Sequence, residues 1–186
     1  MTTLHLKKSI GRSPLRRGLL LVPLLLACFA AVFISAPIPA AAGDQVPFNG
    51  TVSGQIPSDL GPPVEGTGGC VFDFLVSNAG YATELGAFTG YAEFIPNLCD
   101  LTYTGFFYWT AANGDQISGP FSGCLTPTAT AGVFDNHETA IVTDGTGRFA
   151  GATGIFTLTG QVNFITSSFV LPWKGTISSV GSKPKP

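Results

Sequence analysis

The 186-residue sequence predicts an all-β fold, a single antiparallel eight-stranded up-and-down β-barrel. Three observations predict it. Beyond residue 43 apolar residues recur at alternate positions, whereas 3.6-residue periodicity is almost absent. About eight such segments are joined mostly by short connections rich in Gly, Pro, Asn and Asp. Sequential hairpins of this kind can close on themselves, which removes exposed edges. A two-sheet sandwich is the other architecture the pattern allows, because alternation does not display closure.

The segments follow in order. In 46–56, Val46, Phe48, Val52 and Ile56 share one face with Gly50 and Gly54, while Thr51, Ser53 and Gln55 take the other. That is a half-buried strand. The Asn49-Gly50-Thr51 triplet fits a glycosylation acceptor but falls inside the strand and is read as coincidence. The run 57–69, PSDLGPPVEGTGG, reads as a long loop. A second strand covers 70–77, Asn78-Ala79-Gly80 turns the chain, and a third strand covers 81–94, bent at Gly86 or Gly90. A Pro-containing turn at 95–100 leads to 101–112, LTYTGFFYWTAA, which is apolar on both faces. It is expected to be covered on both sides or to line a subunit contact. Asn113-Gly114 predicts a two-residue hairpin that pairs Ala112 with Asp115. The return strand 115–125 places Ile117, Phe121 and Leu125 on one side. Strands over 133–143, 154–165 and 168–178 complete the set, the last two alternating through Phe156, Leu158, Val162, Phe164 and Phe169, Leu171, Trp173, Ile177.

The N-terminal part is of another kind. Lys7, Lys8, Arg12, Arg16 and Arg17 precede the apolar run 19–34, and Ala40-Ala41-Ala42 offers a small-residue exit before Gly43. These features predict a secretory signal peptide over 1–42, a barrel domain over 43–180 and a polar tail over 181–186. An uncleaved anchor is the rival reading. A twin-arginine signal at Arg16-Arg17 and a lipoprotein box ending at Cys28 are further variants. The expected location is secreted or periplasmic.

Removing 1–42 leaves four cations against eleven acids, a net charge of −7. So acidic a chain has no basic patch for phosphates, which excludes nucleic acid as an expected partner. An anionic membrane surface is disfavoured for the same reason. Cys70, Cys99 and Cys124 remain, so at most one internal bridge forms. In a meander all three lie at one rim. Cys124 counts back to a position opposite Tyr103, and the 95–100 loop is expected to fold over the rim and close a Cys99–Cys124 bridge. Cys70, on a face with Phe72 and Phe74, is expected to be a buried free thiol.

The stretch GTGRFAGATG at 145–154 lies between two alternating strands. It resembles the GGTG-x-F-x-x-A-x-G turn of dirigent proteins and the wider allene oxide cyclase-like barrel group. Small exported bacterial proteins are similar over more of the chain, including TAANGD at 110–115. The resemblance implies an eight-stranded barrel with an apolar cavity, secreted in the dirigent case and often trimeric. It covers about ten residues of turn chemistry and carries over no catalytic residue.

Candidate chemistry is sparse. Gly145, Gly147, Gly151 and Gly154 miss the dinucleotide and P-loop spacings, and a strand follows where a phosphate site needs a helix. Arg148 is the one cation between Gly43 and Trp173. It is expected either to pair with Asp115 or Asp144 on one rim or to bind an anionic ligand group. Glu138 shares a face with Phe134, Asn136, Ala140 and Val142, so it either points inward as a candidate acid or base or sits at the wetter rim. His137 then faces outward, and Asp73 and Glu84 are weaker candidates. No metal or cofactor site is expected, since one histidine and three scattered cysteines give no ligand spacing after residue 42. No Ser lies in a G-x-S-x-G elbow. The sequence therefore favours a non-catalytic barrel that binds a small apolar ligand or a partner protein, with homo-oligomers open. A cyclase-, isomerase- or dirigent-like enzyme and a structural surface protein are the alternatives.

Overall fold

The structure is a computed structural model that describes residues 44–178. The readings of 1–42 and of the 181–186 tail lie outside the described residues. Ten strands form one antiparallel sheet: β1 Gln45–Pro47, β2 Gly50–Gln55, β3 Phe74–Ala82, β4 Gly86–Asn97, β5 Thr102–Ala111, β6 Gln116–Pro127, β7 Val133–Val142, β8 Asp144–Gly145, β9 Gly154–Asn163 and β10 Ser168–Ser178. β1 and β2 lie successively along β10, and β8 is a two-residue pairing on β6. β10 pairs with β2 on one side and β9 on the other, so eight staves close into an up-and-down barrel. The predicted barrel is thus the observed one, and the sandwich is not.

Alternation sets the interior. Phe48 and Val52, Phe88 and Ala92, Phe107 and Trp109, Ile117 and Phe121, Phe156 and Leu158, and Leu171 and Trp173 all point inward and are buried. Seven inward glycines each lie directly opposite an aromatic residue of the adjacent strand: Gly50 and Trp173, Gly54 and Phe169, Gly80 and Phe88, Gly90 and Trp109, Gly105 and Phe121, Gly123 and Tyr103, Gly175 and Phe156. A Cβ at the first six of these glycines would collide with that aromatic side chain, and one at Gly175 with the Cα and Cβ of Phe156. The rings occupy the space the missing side chains leave.

Three local expectations are corrected. Asn78-Ala79-Gly80 lies inside β3, and the chain turns at 83–85, where Thr83 Oγ1 donates to Pro47 O at 2.9 Å and Gly86 takes φ +75°. The β5–β6 connection is one residue longer than a two-residue hairpin. Ala111 N–H donates to Asp115 O at 2.8 Å, and Gly114 supplies the left-handed residue at φ +89°. Cys124 therefore faces Thr102 and not Tyr103.

The disulfide joins Cys70 to Cys99, with Cα atoms 5.3 Å apart, and among the described residues Cys124 is left as an exposed free thiol. The expected Cys99–Cys124 pair and the free Cys70 are both overturned. The reason is topological: Cys99 follows β4, whose other neighbour is β3, and the chain entering β3 continues that pairing. Val71 bridges Asn97, and Leu98 N–H donates to Cys70 O at 2.8 Å, which sets the two cysteines side by side.

One end of the barrel is closed by buried Phe48, Leu85, Phe149 and Ile177. Here the glycine-rich turn contains a short 3-10 segment, Gly147–Phe149, and Thr146 exchanges hydrogen bonds with the backbone of Gln116. Gly147 has φ +59°, and a Cβ there would fall on the Asp115 carboxylate, whereas Gly151 has φ +74° with open space around it. Gly147→Val is therefore expected to lower stability by ~1–3 kcal/mol, more than Gly151→Ala, which adds backbone strain alone. Urea unfolding of the two variants measures this, and equal, negligible shifts would show that the turn imposes no such restraint.

Candidate functional site

The upper interior is hollow. Above a floor of Phe107, Trp109 and Phe156, a cavity opens toward the rim that carries the disulfide and the 57–69 loop, where Ile56, Leu60, Leu98 and Phe169 line its mouth. It leaves about 90 Å³ to the centres of water-sized molecules, several times the ~10–15 Å³ that one water needs. Its wall is apolar except for Asn78, Asn136 and Glu138.

Alternation on β7 sends Asn136 and Glu138 inward with Ala140, and the carboxyl meets apolar walls. Directly opposite Glu138 on β6 is Gly123, and opposite Gly123 on β5 is Tyr103. With no side chain at 123, the tyrosine reaches across a whole strand. Its hydroxyl lies 3.0 Å from Glu138 Oε2 and 2.5 Å from Asn136 Oδ1. The three residues form one polar cluster in an apolar wall.

Burial pushes the Glu138 carboxyl up to about 7, opposed by the Tyr103 hydrogen bond. Glu138 retains partial surface exposure because the cavity beside it is open; the surrounding apolar wall still penalises its charge. Tyr103 is raised as well, first by burial and then by the neighbouring Glu138 charge. Among the described residues four buried polar atoms have no partner: Asn78 Oδ1, Trp109 Nε1, Asn136 Nδ2 and Trp173 Nε1. The first three residues line the cavity.

The remaining candidates lie elsewhere. Arg148 sits at the closed end, away from the cavity lining. Its Nε is 2.8 Å from Asp115 Oδ2, Nη2 donates to Leu85 O at 3.4 Å, and the guanidinium lies 5.0 Å from the Phe149 ring centroid. The guanidinium is thus taken up in tying three turns together, not in a ligand site at the mouth. Cys124 and His137 face each other on the outer surface of β6 and β7. Asp73 is exposed ahead of β3, and Glu84 lies in the 83–85 turn. Among the described residues no three His, Cys, Asp or Glu side chains gather as metal ligands. Tyr103, Asn78 and Gly123 were not picked out from the sequence. The signal for Tyr103 is its place in the inward series with Phe107 and Trp109, where a hydroxyl needs a partner.

Comparison with protein-family models finds no match, and neither does comparison with curated proteins. Among solved structures the chain is similar to the pterocarpan synthase dirigent protein PsPTS1, at 10% identity over 76% of this chain and 99% of that one, with a TM-score of 0.47. It is also similar to the pterocarpan synthase dirigent protein GePTS1, at 12% identity over 81% of this chain and 98% of that one, with a TM-score of 0.43. Both of these solved structures are dirigent proteins. The likeness concerns the fold and carries over no residue roles.

The raised Glu138 fixes a pH dependence. A carboxyl held above its ordinary value of 4.5 adds stability that is complete below that pH and is lost as pH rises through about 7. Relative to Glu138→Gln, the wild type is expected to lose roughly 2–3 kcal/mol of unfolding free energy between pH 5 and pH 8. Urea unfolding of both proteins at the two pH values checks this, and parallel pH profiles would place the carboxyl in water.

Proposed function

We propose that this protein is an exported barrel that takes a small, largely apolar molecule with one or two polar groups into its cavity. The supporting observation is the mismatch inside the wall. Asn136 Nδ2, Asn78 Oδ1 and Trp109 Nε1 are buried beside open space without partners. Each unpaired buried group costs about 1–3 kcal/mol, and a bound molecule with matching polar atoms removes that cost. Export is supported by the basic and apolar pattern of 1–42 and by the disulfide, a feature of oxidising compartments. A structural surface role would not require a hollow interior. Self-association is a compatible addition, since Tyr91, Phe106 and Tyr108 form an aromatic group on the outer face of β4 and β5.

One observation favours a second reading, in which the barrel also transforms its ligand. Burial pushes the Glu138 carboxyl up to about 7 inside the cavity, the range that suits a general acid or base at neutral pH. On that reading Glu138→Gln keeps ligand affinity and loses turnover. Native mass spectrometry of protein purified from its source tests the primary reading. The expected result is a population carrying a small organic molecule, displaced on denaturation. Protein that is wholly free of ligand from source, and that takes up no apolar probe afterwards, would overturn it.

A further inference from the structure

The hydrogen-bond count of the polar cluster carries an inference that rests on the cavity reading and goes beyond it. Tyr103 Oη lies within hydrogen-bonding distance of two oxygens, Asn136 Oδ1 and Glu138 Oε2, yet a phenol has a single proton to donate. If Tyr103 donates to Asn136 Oδ1, then Glu138 must be protonated and donate to Tyr103. The Asn136 Nδ2 protons are then unpartnered. If Glu138 is ionised, Tyr103 must donate to it. Its own oxygen then needs a donor on the other side, and only the Asn136 amide turned over, with Nδ2 toward Tyr103, supplies one.

We propose that the proton on Glu138 sets the direction of the Glu138–Tyr103–Asn136 chain and thereby the polarity of ligand that the cavity accepts. In the neutral state the cluster leaves the Asn136 amide protons free and takes a ligand with an acceptor oxygen, such as a ketone, ester or ether. In the ionised state one Asn136 Nδ2 proton is taken up by Tyr103, Asn136 Oδ1 is turned free and Glu138 Oε1 carries charge, so the balance moves to acceptors and favours a ligand with a hydroxyl donor. Among the described residues Tyr103 on β5 is the one further ionisable group that faces Glu138 from the elements around it. Glu138 meets Gly123 across β6 and Leu158 across β9, while His137 and Cys124 lie on the outer face. The change falls where Glu138 titrates, at about 7.

Acetophenone and 1-phenylethanol, a ketone and its alcohol, test this without titrating themselves. Their dissociation constants are measured with wild-type protein at pH 5.5 and pH 8.5 by calorimetry or ligand-observed NMR. The preference for ketone over alcohol is expected to fall about tenfold as pH rises, the scale of one charge-assisted hydrogen bond. In Glu138→Gln, whose amide can donate to Tyr103 at every pH, the ketone preference stays constant. An unchanged ratio in the wild type, or the same pH response in Glu138→Gln, overturns the proposal while leaving the cavity reading intact. The same response in Tyr103→Phe would assign the effect to charge alone and overturn the relay. Binding of neither probe at either pH removes the cavity reading and this inference together.

Discussion

The barrel depends on how large rings are fitted inside a tube whose circumference eight strands fix. Side chains from every stave converge on one axis, and seven aromatic residues compete for that space with their cross-strand neighbours. Each is placed opposite a glycine whose Cβ, had it one, would collide with the aromatic side chain or, at Phe156, with its Cα and Cβ. A glycine inside a strand costs up to about 1 kcal/mol in chain entropy. The burial of an aromatic face, at ~25 cal/mol per Å², offsets that cost several times over. The same arrangement stacks Phe88 on Trp109 at 4.5 Å and Trp109 on Trp173 at 5.1 Å, a continuous aromatic layer across the middle of the tube.

The site is a local variant of this packing. At Gly123 the ring that fills the gap is a tyrosine, and its hydroxyl emerges beside Glu138 on the strand beyond. The glycine that admits a ring elsewhere here admits a polar contact between residues 35 apart in sequence. Toward the mouth the interior is not filled, although Phe74, Phe94, Phe121 and Phe169 line it, which leaves the Glu138 carboxyl and the Asn78 and Asn136 carboxamides beside open space. Fold stability and the cavity therefore come from one rule applied with different residues at different heights of the barrel.

The two ends differ in how they are held. At the closed end Arg148 links the glycine-rich turn to the 112–115 hairpin through Asp115 and to the 83–85 turn through the Leu85 carbonyl. The side chain of Arg148 is 40% exposed and that of Asp115 17%, so the ion pair adds at most about 1 kcal/mol and serves more to hold geometry. At the open end the holding element is covalent. The Cys70–Cys99 bridge fastens the 57–69 loop to the β4–β5 turn and sets Leu60 of that loop over the cavity mouth.

By itself the sequence determined which face of each strand looks inward, because side chains alternate with a period of two whatever the neighbours are. That parity was enough to give the all-β class, the face that Glu138 shares with Ala140 and Val142 and the outward His137, while the meander order put the glycine-rich turn on the same rim as the 113–114 hairpin. It could not fix pairing register, which depends on turn geometry. One extra residue between Ala111 and Asp115 moved Cys124 from Tyr103 to Thr102. Nor could it fix which strand lies on the far side of β4, and so which cysteine meets Cys99. Tyr103, Gly123 and Glu138 come from three different strands, and only the pairing register of β5, β6 and β7 brings them into one row. Alternation is a property of the local backbone, whereas partners across a sheet are chosen by the whole barrel.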